Sequence, residues 1–249
     1  METMYRCCAG LDVHKETVTA CVRQVDPAGR IEKQIRTFGT MTGELLALLD
    51  WLTINHVEAA AMESTGVFWK PVWNILEGSF EVILANARHI KNVPGRKTDV
   101  KDCEWIAQLL QYGLLRPSFV PERPQRELRD LTRQRSQLTA EQTRVANRIH
   151  KTLEDANIKL GSVATDILGV SGRAIIHELI EGHTNPTLLA ELARGRLREK
   201  KQPLQGALQG HLTEHHQFML RQLMEHWNYL AVQLERFDRR IESLMVPFQ

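Results

Sequence analysis

The N-terminal part of the sequence changes its hydrophobic period in a fixed order, and this order limits the folds that the chain can adopt. Segments rich in Val, Thr and Cys between short polar turns indicate strands, whereas apolar residues that recur every three or four positions indicate helices. The predicted elements are strands at 5–13, 17–25 and 30–38, a helix from Thr42, a strand at 59–63, a helix at 67–76, a strand at 81–85 and a helix from about Asp99. The chain therefore begins with a strand meander and continues with alternating helices and strands.

This element order is the plan of an RNase-H-like α/β domain with a mixed sheet. The strand pattern ends at Pro121 and Pro124, and the remaining sequence reads as helical with glycine-containing breaks. We place the boundary within 116–124 and predict an α/β domain over 1–118, followed by an all-α region over 119–249. At 249 residues the chain is long enough for both.

Four carboxylates fall where neighbouring predicted elements begin or end. Asp12 closes the first strand, and Glu63 closes the fourth. Asp99 and Asp102 share the first turn of a predicted helix that Thr98 can cap. Each acid also has a plain structural reading, as a turn former, a solvated strand end or a first-turn helix acid, but that reading does not explain their order. Carboxylates that converge on two cations roughly 4 Å apart are what metal-assisted phosphodiester chemistry requires, and Mg²⁺ prefers oxygen ligands.

The positive charge of the chain is concentrated in its middle. The whole sequence has a net charge of only +2, but residues 86–151 contain 14 Lys or Arg against 7 Asp or Glu. Such a stretch is typical either of a solvated helix face or of phosphate binding, and the acids beside it favour the second. The candidate nucleic-acid contacts are Lys91, Arg96, Lys97, Lys101, Arg123, Arg126, Arg129, Arg133, Arg144, Arg148 and Lys151, with Arg88 and Arg135 in the same stretch.

The last predicted helix carries apolar residues at heptad spacing. They are Leu220, Leu223, Trp227, Leu230, Leu234, Phe237, Ile241 and Leu244, spaced 3-4-3-4-3-4-3. The helix over about 125–157 carries a weaker version, which Arg135 and Gln142 interrupt. The two helices can pair within the chain, or the seam can join the subunits of a homo-oligomer. The sequence leaves both possibilities open.

Composition argues against a membrane-spanning or secreted protein. The longest apolar runs are far shorter than the roughly 20 residues of a membrane helix. The N-terminus has no apolar stretch of signal-peptide length, so we predict a cytoplasmic protein. Its four cysteines, Cys7, Cys8, Cys21 and Cys103, form no CxxC pair and are expected to be buried free thiols.

Three motifs make the functional class more specific. They are GLDVHK near the start, MESTGVFW, and NARHIKNVPGRKTDVKDCEWIAQLLQYGLL. These motifs closely resemble the DEDD transposases of IS110-type insertion sequences, whose first domain is RuvC-like, and the similarity runs on through the helical region. The resemblance implies that 1–118 is a RuvC-like nuclease or transposase domain of RNase H fold and that 119–249 contains a coiled coil.

The resemblance also implies catalytic residues and partners. In the family the four acids are the catalytic metal ligands, and by motif position they map to Asp12, Glu63, Asp99 and Asp102. They would bind Mg²⁺ or Mn²⁺, with two ions as the expected number. The implied substrate is DNA and the implied second ligand is a guide (bridge) RNA, so we expect the protein at the nucleoid when it is bound to DNA.

The sequence departs from the family in one respect. Family members continue into a C-terminal domain that contains a helix-hairpin-helix-like glycine motif and a serine that attacks the DNA. This sequence stops at Gln249, where that domain would begin. We therefore expect an N-terminal portion of such a transposase and assign no serine of this chain as the nucleophile.

Three other interpretations of the sequence are also possible. The basic stretch and the heptads alone would suit a non-catalytic module that binds nucleic acid and oligomerises. The opening GLDVHKETVTACV resembles actin-like ATPases and sugar kinases, but His14 and Lys15 occupy the place where their phosphate-binding turn needs glycine, so a kinase is disfavoured. His211, Glu214 and His215 match an HxxEH zinc pattern without an obvious distant ligand, which favours a solvated helix face.

Overall fold

The structure is a computed structural model that describes residues 3–94 and 101–245. It divides the chain into two compact units, Met1–Val120 and Pro121–Gln249, each with its own hydrophobic core. The division follows Val120, whereas the boundary expected from the sequence follows residue 118. No helix in the described ranges is both long and apolar enough to cross a membrane.

The first unit is an α/β fold built on one five-stranded sheet. Its elements are β1 (Cys7–Val13), β2 (Thr17–Val25), β3 (Ile31–Gly39), α1 (Thr42–Ile54), β4 (Ala59–Glu63), α2 (Trp69–Leu76), β5 (Glu81–Ala85), α3 (Ala87–Asn92) and α4 (Asp102–Gln111). The strands lie in the order β3-β2-β1-β4-β5, in which β1 to β3 form an antiparallel meander and β4 and β5 run parallel to β1. This topology is RNase-H-like and confirms the fold predicted from the element order.

Short turns explain why the first three strands form a meander. The β1–β2 connection closes with a hydrogen bond of 2.9 Å from the backbone N–H of His14 to the carbonyl oxygen of Thr17. In the β2–β3 turn, the Asp26 carboxylate accepts from the backbone N–H of Arg30 at 2.7 Å and pairs with its guanidinium group. Gly29 has φ +79° in the same turn, a conformation that favours glycine. Local turn chemistry therefore sets the antiparallel pairing.

Strand β1 is buried on both faces because helices cover both sides of the sheet. Cys7, Ala9 and Leu11 pack in a core with residues of α1 and α2. The alternate residues Cys8 and Gly10 face α4 on the other side. Because side chains alternate along a strand, successive residues of β1 belong to two different cores, one on each face of the sheet.

Helix α1 packs as its periodicity predicts but starts differently. The buried residues are Leu45, Leu48 and Leu52. The sequence predicts Thr42 as the N-cap, whereas the helix begins at Thr42 itself and Met41 is the N-cap, with no side-chain hydrogen bond. The prediction was wrong by one residue because the backbone is still extended at Met41 (φ −69°, ψ 150°), so Thr42 is already the first helical residue.

Helix α4 lies very close to β1 at Gly10. A Cβ atom added at Gly10 would be 2.2 Å from the carbonyl oxygen of Cys103 and 2.3 Å from the backbone nitrogen of Ala107. Two residues earlier on the same face, the Cys8 sulfur lies 3.5 Å from the Ala107 carbonyl oxygen. Small residues therefore let the helix backbone rest directly on the strand backbone, with the start of α4 toward the end of β1.

Side-chain contacts fix both ends of α4 on the sheet. Near its start, Glu104 forms an ion pair with Lys33 of β3. At its end, Arg23 of β2 donates through Nε to Oε1 of Gln111 at 3.0 Å, and both side chains are buried. A helix held at both ends keeps its register along the strands, which fixes the position of its first residue, Asp102.

The second unit is helical throughout its described residues. Its elements are α5 (Arg123–Asp155), α6 (Leu160–Val163), α7 (Val170–Ile180), α8 (Pro186–Ala190), a 3₁₀ helix (Gly195–Lys200), α9 (Lys201–Ala207) and α10 (Glu214–Met245). The long helices α5 and α10 pack along each other. The core lies where the last part of α5 and the first part of α10 meet the shorter helices.

The heptad residues of α10 contribute unequally to this core. Leu220, Leu223 and Leu230 are buried, together with apolar residues of α5. The remaining members, Trp227, Leu234, Phe237, Ile241 and Leu244, are half-buried. The first half of the seam therefore packs within the chain, while a role of the seam in oligomerisation stays a prediction.

Arg135 interrupts the apolar seam of α5 and pairs across it. Its guanidinium group makes a two-point ion pair with Asp238 of α10, in which Nη2 lies 3.2 Å from Oδ2. The hydrogen bond from Arg135 lowers the pKa of the Asp238 carboxyl. Arg135 is therefore part of the contact between the two helices and differs in this from the outward-facing cations of α5.

Replacing Gly10 with alanine is expected to destabilise the first unit by about 3 kcal/mol, the upper end of what overpacking typically costs, because the added methyl group meets backbone atoms. Urea unfolding measures the effect. The matched control is Gly43→Ala in α1, where an added Cβ has nothing within 4 Å and alanine is the better helix former. Equal stability of the two variants would show that α4 can move away from β1 at little cost.

The cysteine thiols are expected to be unreactive in the native protein. Burial raises the pKa of Cys8 and Cys21 to about 12 and that of Cys7 to about 11, and it also raises the pKa of Cys103. Because the thiolate is the reactive form, an aromatic disulfide reagent at mildly alkaline pH should modify the four buried thiols only after urea is added. Rapid modification of Cys21 or Cys103 without urea would mean that α4 opens from the sheet.

Candidate metal and nucleic-acid site

Asp12 and Glu63 lie side by side at the ends of two neighbouring strands. Strands β1 and β4 are parallel and Leu11 pairs with Met62, so the two acids occupy the next position on each strand. Paired strands are roughly 4.8 Å apart. Because side chains alternate across a sheet, Asp12 falls on the same face as Gly10, which α4 covers, and Glu63 falls on that face of β4. The fold thus brings together two acids that are distant in sequence.

Each of these carboxylates has a hydrogen-bond partner two residues further along the chain. His14 Nε2 lies 3.2 Å from Asp12 Oδ2. The Thr65 hydroxyl donates to Glu63 Oε1. Both acids remain partly open to solvent, with 28% of the Asp12 side chain accessible. A ligand can therefore reach the pair from outside the sheet.

Asp102 is the first residue of α4, at the end of the helix that lies toward Asp12. The next residue, Cys103, packs over Gly10. Burial raises the pKa of the Cys103 thiol, and the negative charge of Asp12 raises it further. The partial positive charge of a helix N-terminus favours carboxylates at this position.

The start of α4 corrects one expectation from the sequence. Asp99 and Asp102 are predicted to share the first helical turn, with Thr98 as the cap. Instead, Lys101 is the N-cap residue, with extended backbone angles (φ −62°, ψ 148°), so the helix begins at Asp102. Asp99 and Thr98 lie outside the described residues. The extended backbone at Lys101 means that residue spacing alone does not give the relation between the two aspartates.

A complete metal site is not assembled from the described residues alone. In the ranges 3–94 and 101–245, no three His, Cys, Asp or Glu side chains are close enough together to hold an ion. Asp12 and Glu63 are adjacent, and Asp102 begins the helix that covers them. The donor chemistry nevertheless fits a hard cation, because Mg²⁺ takes carboxylate oxygens and retains waters. The four-acid site therefore stays a prediction.

Two predicted nucleic-acid contacts of the first unit are exposed. Lys91 lies in the last turn of α3. Lys101 directly precedes Asp102. Arg96 and Lys97 lie outside the described residues. Positive side chains are thus exposed at the end of α3 and just before the start of α4.

Six basic residues of α5 share one face of that helix. They are Arg126, Arg129, Arg133, Arg144, Arg148 and Lys151. At 3.6 residues per turn, they fall within roughly 100° of one another and are centred about 160° from the apolar residues that pack against α10. We call these six residues the basic stripe of α5. The helix therefore separates its packing face from its charged face.

Most cations of the basic stripe have no ionic partner in the described part of the chain. The exposed and unpaired members are Arg129, Arg133, Arg144, Arg148 and Lys151. Arg126 is half-buried and donates through Nη1 to the carbonyl oxygen of Pro121 at 3.0 Å. Outside the stripe, Arg123 pairs with Glu127 at 3.2 Å. The five exposed members of the stripe thus present charge that the described protein does not neutralise.

His14 and Thr65 are not among the site residues predicted from the sequence. Their common signal is spacing, since each lies two residues after a strand-end acid, in Asp-Val-His and Glu-Ser-Thr. Spacing alone does not show whether the side chain two residues after the acid forms a hydrogen bond with it or faces solvent. The backbone path at the end of each strand decides between them.

Several solved structures are similar to part of this chain. The structure of Thermus thermophilus RuvC has 15% identity and a TM-score of 0.34, covering 45% of this chain and 99% of that chain. T. thermophilus RuvC in complex with Holliday junction substrate has 14% identity, a TM-score of 0.32 and the same coverage. A Fowlpox virus resolvase in complex with Holliday junction DNA has 13% identity and a TM-score of 0.27, covering 37% of this chain and 65% of that chain. Among curated proteins, none matches the chain significantly.

A protein-family model gives the stronger comparison. The model of the IS110 DEDD transposases, described as a transposase, matches residues 9–158, more than half of the chain. The match begins within β1, includes Asp12, Glu63 and α4, and extends through the whole of α5. The chain therefore belongs to the DEDD transposase family of IS110-type insertion sequences.

Proposed function

We propose that this protein is an insertion-sequence transposase, a recombinase that cuts and joins DNA phosphodiester bonds with the help of Mg²⁺ or Mn²⁺. The observation that carries the proposal is the pair of carboxylates, Asp12 and Glu63, on adjacent strand ends under the first turn of α4. Membership of a transposase family supports the same chemistry. Asp102 and Asp99 complete the proposed set of ligands, for an expected two ions.

The proposed chemistry divides between the ions and the protein. The ions would act as Lewis acids that polarise the scissile phosphate and stabilise the charge that develops on it. The protein would hold the ligands: the pairing of β1 with β4 fixes Asp12 against Glu63, and the contact at Gly10 fixes α4 and hence Asp102. No residue of this sequence is assigned as the attacking group.

DNA is the proposed substrate, and the basic stripe of α5 is the proposed contact with the nucleic-acid backbone. Exposed cations that replace the counterions of a phosphate chain supply much of the affinity of such contacts. In the first unit, Lys91 and Lys101 are proposed to bind phosphates, together with Arg96 and Lys97. The family resemblance adds a guide RNA as the second proposed ligand of these surfaces.

One observation favours a second function, a non-catalytic module that binds nucleic acid and oligomerises. The described residues do not bring three potential metal ligands together, whereas the basic stripe and the seam of α10 exist independently of the acids. In either function, the half-buried residues Leu234, Phe237 and Ile241 would contact a second subunit. A measurement of metal binding distinguishes these two proposed functions.

The variants Asp12→Asn and Glu63→Gln are expected to weaken Mn²⁺ binding by roughly 100-fold or more, because even the loss of an outer-shell partner of a metal ligand costs 10- to 100-fold. Counting free Mn²⁺ by its paramagnetic resonance signal measures the affinity, and Mg²⁺-dependent cleavage of plasmid DNA should fall in parallel. The control is Asp50→Asn, an exposed acid of α1, which packs on the opposite face of the sheet. Unchanged Mn²⁺ affinity in both variants, with nucleic-acid binding retained, would favour the non-catalytic module.

Replacing Arg129, Arg133, Arg144 and Arg148 with glutamine is expected to weaken binding to any duplex DNA sequence. Each lost phosphate contact should make the slope of log affinity against log salt shallower by about 0.9. Fluorescence anisotropy with a labelled duplex over a range of salt concentrations measures the slope. The matched control changes Arg236 and Arg240, exposed arginines of α10, to glutamine. An unaltered slope in the α5 variant would place the nucleic acid elsewhere.

A further inference from the structure

We propose that His14 and Thr65 are positioning residues, each of which holds the strand-end acid two residues before it in the orientation that a metal ion requires. This inference rests on the proposed function, since it assigns roles around the same carboxylates. It goes beyond that function because neither residue is a proposed ligand. The two side chains would act on the ions only through Asp12 and Glu63.

The first observation is the hydrogen bond at the end of β4. The Thr65 hydroxyl donates to Glu63 Oε1. An ionised carboxylate can only accept, so the hydroxyl proton must point at Glu63 in this arrangement. Thr65 is β-branched and therefore has few rotamers, which makes it a stiff support for a longer and more flexible glutamate.

The second observation is the matching contact at the end of β1. His14 Nε2 lies 3.2 Å from Asp12 Oδ2. By the same rule the carboxylate only accepts, so this contact is a hydrogen bond in the forms of the ring in which Nε2 carries a proton. The backbone of His14 is itself fixed, since its N–H donates to the Thr17 carbonyl oxygen at 2.9 Å in the β1–β2 turn.

The two contacts use the carboxylates in the same way, with one oxygen of each acid hydrogen-bonded. One oxygen of each acid, Oδ2 of Asp12 or Oε1 of Glu63, is used by its positioning residue. The other oxygen of each, Oδ1 or Oε2, has no hydrogen-bond partner among the residues that the structure describes. Metal-ligating carboxylates are commonly hydrogen-bonded in this way, with one oxygen held by the protein and the other directed to the ion.

The arrangement also explains why two supports are needed. Asp12 and Glu63 belong to adjacent strands, and their ionised groups repel each other at such short range unless an ion lies between them. Before an ion binds, free rotation would let both carboxylates turn away into solvent, since both are partly exposed. Hydrogen bonds to His14 and Thr65 keep them oriented and so reduce the entropy that is lost when the ion binds.

The test compares matched variants of the full chain with Mn²⁺ alone as the probe. Thr65→Val keeps the shape of the side chain but lacks the hydroxyl group, whereas Thr65→Ser keeps the hydroxyl. His14→Leu lacks the donor, whereas His14→Gln retains one near the place of Nε2. We expect Mn²⁺ affinity to fall by about 10- to 100-fold in the first variant of each pair and to recover to within a few-fold in the second. Urea unfolding should give similar stabilities within each pair.

The outcomes separate this inference from the proposed function. Wild-type Mn²⁺ affinity in Thr65→Val and His14→Leu, with binding lost in Asp12→Asn, would overturn the positioning roles and leave the metal site in place. Failure of Thr65→Ser and His14→Gln to restore affinity would also overturn them, because the donor would then not be the cause. Wild-type affinity in Asp12→Asn and Glu63→Gln as well would overturn the metal site itself.

Discussion

Backbone contact between α4 and β1 at Gly10 is the constraint on which the arrangement of the first unit depends. A helix that approaches a strand this closely must pass over a residue without a side chain, and the neighbouring Cys8 and Ala107 are small for the same reason. The ion pair of Lys33 with Glu104 and the buried hydrogen bond of Arg23 with Gln111 then fix the helix along the sheet. The start of α4 thereby acquires a defined place over the ends of β1 and β4.

Local patterns predicted the element order and the RNase-H-like topology because turn chemistry and hydrophobic period are encoded within short segments. Features that depend on distant contacts, or on the backbone between elements, are harder to predict from the sequence. The first helix begins at Thr42 rather than being capped by it, and α4 begins at Asp102, because an extended residue precedes each helix. The hydrogen bonds of His14 and Thr65 depend on how each strand ends, which composition and spacing do not report.

Helix α5 of the second unit also shows what local sequence does not predict. Its sequence contains arginines on the charged face and, at Arg135, on the packing face, and a count of charge does not distinguish between them. The fold does, since Arg135 meets Asp238 in the seam whereas Arg144 and Arg148 face away from it. The angular position of each arginine was available from helical geometry, but the choice between an ionic partner and a phosphate required knowledge of which face α10 covers.

The parallel pairing of β1 with β4 has a consequence for how the protein matures. These strands are separated by two further strands and α1, so their register forms only after a long loop has been closed, and such contacts form late and slowly in folding. Asp12 and Glu63 are therefore not adjacent in a partly folded chain in which β1 and β4 have not yet paired. An ion that needs both carboxylates would bind only the finished domain and, by binding it, shift the folding equilibrium toward that state.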